Sequence, residues 1–113
     1  MVSTVEVQFK VLPISVKPHR NTDACHSIGN ICVGSNEQSF IRKQLAADAG
    51  AVNAIAAAMQ THFLSSAVQE YGCFALGNIC FGFDVKANAR KVSTVAARTL
   101  AVCRSLAVHL PFF

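Results

Sequence analysis

Charge is scarce in this chain. Only 14% of its 113 residues are charged, against 52% that are hydrophobic, and a sequence so rich in apolar side chains has the means to collapse around a core. Long apolar runs are equally missing. Gln, Asn, Ser, His or a charged residue interrupts every stretch before it reaches the roughly 18 consecutive apolar positions that a membrane-spanning helix needs. The first ten residues carry Glu6 and no basic cluster ahead of an apolar run, so a secretory leader is not expected and a cytoplasmic or nuclear location is. Neither Gly-Lys-Ser/Thr nor Gly-x-Gly-x-x-Gly occurs, which removes the usual phosphate-cradling loops. Asp48, Glu70 and Asp84 fall on separate segments and leave no carboxylate pair for acid–base catalysis.

What the chain does contain is a repeat. Ile28-Gly29-Asn30-Ile31-Cys32-Val33-Gly34 recurs 48 residues later as Leu76-Gly77-Asn78-Ile79-Cys80-Phe81-Gly82, and the same offset pairs Cys25 with Cys73 and Arg42-Lys43 with Arg90-Lys91. A fixed offset of this size marks a solenoid or array of supersecondary units, each burying its apolar face against its neighbour. At 113 residues the chain is one domain at most, long enough to pack a core without metals or disulfides.

Helical signals dominate from Asn21 onward. Asn21, Thr22 or Asp23 is placed to cap a helix running to about Val33, with Ala24, Ile28 and Ile31 on one face and Gly34 at its end. A polar turn at 35–38 leads to a second helix from about Ser39, expected to carry Phe40, Ile41 and Leu45 inward and Arg42 and Lys43 outward. It stops at Asp48-Ala49-Gly50, where glycine permits a sharp corner. Residues 51–61 place Val52, Ile55, Ala56 and Met59 at helical spacing. Ser65 or Ser66 then caps a long helix reaching Phe81, with Val68, Gly72, Ala75, Leu76 and Ile79 on its apolar face. Residues 92–110 retain a helical pattern that Pro111 stops, but the glycine corner due near residues 97–100 is missing. A shifted reading frame or an alternative exon after Lys91 would account for that break. Residues 2–12 alternate in part like a strand, with a frayed helix of a preceding repeat as the equal alternative.

Short helix, glycine corner, medium helix, loop and long helix, in that order, resemble the armadillo repeat over residues 21–91. Val68-Gln69-Glu70 followed by Ala75-Leu76-Gly77-Asn78-Ile79 is similar to that family's third helix, and Ala49-Gly50-Ala51-Val52 to its corner between the first two. The resemblance implies an all-α, right-handed superhelix (an α-solenoid) of about two three-helix repeats. Residues 1–20 would form an extension or partial repeat, and 92–113 a divergent helix and tail. It further implies a groove lined by the third helices, in which Asn30 and Asn78 hold the backbone of an extended peptide; an amide both donates and accepts, so it grips any peptide unit. Four residues before each asparagine, His26 and Phe74 stand where the nuclear-import receptors of the family carry tryptophan. With no tryptophan anywhere, recognition of basic import signals is not expected. Solvent-exposed or locally bonded helical asparagines are the plainer reading.

The five cysteines complete the inventory. Cys25/Cys32 and Cys73/Cys80 repeat an i, i+7 spacing that sets the thiols about 10 Å apart along a helix, too far to pair with one another. They are expected to be reduced and packed. Zinc sites place ligands closer together on tight turns. A nucleophilic pairing of Cys73 with His26 or His62 has nothing to distinguish it among five similar thiols. No metal, cofactor or enzymatic activity is therefore expected. The net charge of +4 is spread along the chain, and the two Arg-Lys doublets are expected on a solvated face. The resulting expectation is a non-enzymatic protein-interaction scaffold whose partner is a protein or extended peptide, with self-association or a larger array as further options and no membrane contact. A helical-repeat module binding nucleic acid through Arg42, Lys43, Arg90 and Lys91 is the less favoured alternative, as is a truncated fragment without independent function.

Overall fold

A computed structural model describes residues 18–92 and 94–106, and these are all-helical, with no strand among the described residues. Six helices follow one another: α1 (Pro18–Ile31), α2 (Glu37–Asp48), α3 (Ala51–Thr61), α4 (Ser66–Cys80), α5 (Ala87–Val92) and α6 (Thr94–Leu106). The expectations for residues 2–12 and Pro111 lie outside the described residues.

Local chemistry sets the boundaries. The first helix begins at Pro18 rather than near Asn21, because proline is preorganised for the first helical turn and loses no hydrogen bond there. Asn21 is consequently no cap. It is buried inside α1, with its amide 3.0 Å from His62 Nε2. Asn36 caps α2 reciprocally: its side chain accepts from Ser39 N at 2.9 Å while Ser39 Oγ donates to the Asn36 carbonyl at 2.7 Å. Gly50 turns the α2–α3 corner at φ +86°, a left-handed conformation that costs other residues a Cβ clash. Ser65 caps α4 by accepting from Val68 N.

The core runs through the middle of the molecule. Ile28 from α1, Ala46 from α2, Ile55 and Met59 from α3, Val68, Ala75, Leu76 and Ile79 from α4, and Leu100 from α6 are all buried in one cluster. The α1–α4 interface is the most extensive among the described helices, and α4 packs in addition on α2, α3, α5 and α6. The long repeated helix is thus the central element.

Three further expectations are corrected. Ile41 points outward, half exposed, while Lys43 is buried at 2% exposure; the α2 face was misjudged because its inward positions are Ser39, Lys43 and Ala46. Arg90 is buried as well, so the basic doublets do not form a solvated face. Finally, the thiols are not all reduced. Cys73 on α4 and Cys103 on α6 form a disulfide with their Cα atoms 5.5 Å apart, whereas Cys25, Cys32 and Cys80 stay free and buried. Spacing along one helix says nothing about a partner on another, which is why the pairing was missed.

Candidate functional site: the face shared by α1 and α4

The two copies of the repeated helix lie side by side, and glycine explains how closely. A Cβ built on Gly29 would stand 2.3 Å from Phe74 Cε2, well inside van der Waals contact. Only glycine lets the Phe74 ring rest on the α1 backbone. On the same face, the His26 ring lies 4.9 Å from that of Tyr71 and 6.1 Å from that of Phe74, both tilted. One turn further along, Asn78 Nδ2 donates to the Gly29 carbonyl at 3.0 Å.

The structure therefore brings all four expected residues to one surface. His26 and Asn30 are exposed on α1, and Phe74 and Asn78 are half-buried on α4. The two asparagines are not equivalent. Asn78 already uses one donor on the neighbouring helix and keeps its amide oxygen; Asn30 is exposed. Tyr71 joins the ring cluster without having been singled out from the sequence. Its spacing of one turn before Phe74 was the available signal.

At the carboxyl ends of these helices sits a set of cations that spacing alone misplaced. Arg42 Nε donates to the Ile31 carbonyl at 2.7 Å, and 48 residues later Arg90 Nε donates to the Ile79 carbonyl, also at 2.7 Å. The same side chain makes the same bond in each copy of the unit. Helix ends leave carbonyls without intrahelical partners and carry the negative pole of the dipole, so guanidinium there satisfies both. Lys43 Nζ donates to the Cys32 carbonyl at 2.8 Å and to that of Asn78, bridging the ends of α1 and α4. Arg90 is further held by a bidentate ion pair with Asp84, at 2.7 and 2.8 Å, and by Gln44 Oε1 at 2.9 Å. Those guanidinium bonds hold the Asp84 carboxyl below its usual pKa. Burial pushes the Lys43 ammonium downward. Lys91 Nζ lies 5.3 Å from the Phe81 ring centroid, in cation–π range.

The three free thiols are inert by environment. Burial pushes Cys25, Cys32 and Cys80 up to about 11, so at neutral pH each is a protonated, packed side chain and not a nucleophile. No helix among the described residues is long and apolar enough to cross a membrane.

No family model, curated protein or solved structure matches the chain. The functional reading is carried by the geometry alone.

Proposed function

We propose that this chain is a non-enzymatic interaction module of armadillo-like construction, binding an extended peptide along the face shared by α1 and α4. The observation that carries the reading is the repeated backbone bond, Arg42 to Ile31 and Arg90 to Ile79, made at the same length 48 residues apart. It supports two structurally equivalent units in register, and registered units present equivalent residues on a common surface. That surface offers what an extended chain needs. Three aromatic rings supply apolar contact, an exposed Asn30 pairs with a peptide unit, and the spare amide oxygen of Asn78 accepts from a second.

Binding to nucleic acid through the Arg-Lys doublets draws less support, because three of the four cations are committed inside the protein: Arg42 and Lys43 to backbone carbonyls, Arg90 to a carbonyl and Asp84. Such binding also needs several cations released onto phosphates and would weaken steeply with salt. The deciding experiment is a peptide-display selection on the purified chain, followed by titration of the selected peptides against Asn30→Ala and His26→Ala. Loss of affinity with unchanged circular dichroism is the expected result. Selected peptides that ignore both substitutions would reject the surface.

A further inference from the structure

Beyond the groove itself, the molecule holds a pocket at the carboxyl ends of α1 and α4. It measures about 360 Å³ and is lined by Lys43, Asn78, Phe81, Phe83 and Lys91, with Gly34, Ser35, Gly77 and Gly82 supplying backbone. The geometry points to this pocket as a subsite for a carboxylate, borne by an acidic residue that stands next to an apolar one in the bound segment. The inference rests on the groove reading above and names the chemistry of the peptide that the groove takes.

Charge balance is the first argument. Two lysines line the pocket and no acidic residue does. The carboxylate closest to hand, Asp84, is already gripped by both terminal nitrogens of Arg90. Lys43 meets two carbonyls, and of its three donors one remains. Lys43 feels Asp84 at a distance but also the like charges of Arg90 and Arg42, so the cations around it outnumber the one carboxylate, and an incoming carboxylate offsets that excess in a partly desolvated site. Lys91 completes the pair from the opposite copy of the repeat, held in place by the Phe81 ring.

Shape is the second argument. Phe83 stands 88% exposed at the rim, and Val85 (97%) follows it on the same loop. Large apolar side chains this open have no use in the fold of the described residues, and beside a carboxylate site they offer contact to a neighbouring apolar side chain. Asn78 lines this pocket and also bonds the Gly29 carbonyl of α1, which makes the subsite continuous with the groove.

The test uses fluorescein-labelled peptides repeating Glu-Phe-Ser, Gln-Phe-Ser and Lys-Phe-Ser, read by anisotropy at low salt. The glutamate peptide is expected to bind about tenfold more tightly than the glutamine one, the size of one charge-assisted contact. Lys91→Met should erase that preference, whereas Lys86→Met, which removes the same charge from an exposed position outside the pocket, should keep it. Equal binding of the glutamate and glutamine peptides, with both weakened by Asn30→Ala, would overturn the carboxylate subsite and leave the groove standing. A preference that survives Lys91→Met or disappears with Lys86→Met would overturn it too, assigning the effect to overall charge. If none of the three peptides binds, the subsite and the groove fall together.

Discussion

Breaking the bridge between Cys73 and Cys103 should cost the chain much of its stability. The two residues are separated by 30 positions and tie the central helix α4 to α6. A cross-link closing a loop of that size removes about 12 cal/mol/K of entropy from the unfolded chain, or about 3.7 kcal/mol at room temperature. Small domains have only about 5–15 kcal/mol to lose. Cys103→Ala is therefore expected to lower the unfolding free energy by about 3–4 kcal/mol and Tm by about 15 °C. Guanidinium unfolding with and without reductant makes the comparison: reductant should bring the parent chain down to the variant and leave the variant unmoved. Both cysteines are buried, at 1% and 0% exposure, so reduction should follow unfolding rather than precede it. Thiol titration supplies a count independent of any stability model. Three thiols should react in the denatured, unreduced chain and all five after reduction. Five thiols without reductant, or an unfolding curve indifferent to Cys103→Ala, would refute the link.

Lys43→Met removes the donor to the Cys32 and Asn78 carbonyls and should cost about 2 kcal/mol in denaturant unfolding, whereas Ile41→Ser, at a half-exposed position, should change stability by less than about 0.5 kcal/mol. Alkaline pH should destabilise the fold: Cys25, Cys32 and Cys80 hold their protons to about 11 when folded and release them near 9.0 when unfolded, so the native state binds more protons in that window. Their contribution is intact below pH 9 and lost as pH rises toward 11, and replacing each with alanine should flatten the fall in denaturant midpoint across that range. Asn78→Ala should cost about 1 kcal/mol by deleting the bond to Gly29, while Asn30→Ala should leave the unfolding midpoint unchanged.

Much of the architecture was legible because the repeat and the punctuation agree. Gly50 marked a left-handed corner, Ser65 a cap, and the residues Val68, Gly72, Ala75, Leu76 and Ile79 a buried face, and each takes that role. His26, Asn30, Phe74 and Asn78 were suggested by the resemblance to the armadillo third helix, and the structure sets the His26 and Phe74 rings 6.1 Å apart and bonds Asn78 to the Gly29 carbonyl. Where reading by composition failed, it failed on charge. Lysine and arginine are ordinarily solvated, and nothing local to α2 shows that two helix ends nearby lack donors for their carbonyls. That information lies in the three-dimensional arrangement of α1 and α4. The disulfide was hidden for the same reason, since its two halves belong to helices with no common spacing.

The two copies of the repeated unit differ in how deeply they bury their arginines. Arg42 is half-buried and makes its carbonyl bond at the edge of solvent, where water screens the remaining charge. Arg90 sits at 4% exposure, and a guanidinium taken that far from water requires a carboxylate. Asp84 supplies it, and Gln44 of α2 takes a further donor, so the second unit is fastened to the first through Arg90. The consequence reaches the neighbouring side chains. With Asp84 spent on Arg90, no carboxylate ion pair forms at Lys43 or Lys91 among the described residues. The pocket at the carboxyl ends of α1 and α4 is left with two lysines in its lining and no acidic residue. Arg90→Leu would release Asp84 from its ion pair and leave its charge to offset the two lysines, weakening the attraction for an acidic ligand. The charge of this pocket is thus set by an ion pair beside it, made necessary by how deeply the second copy buries its arginine.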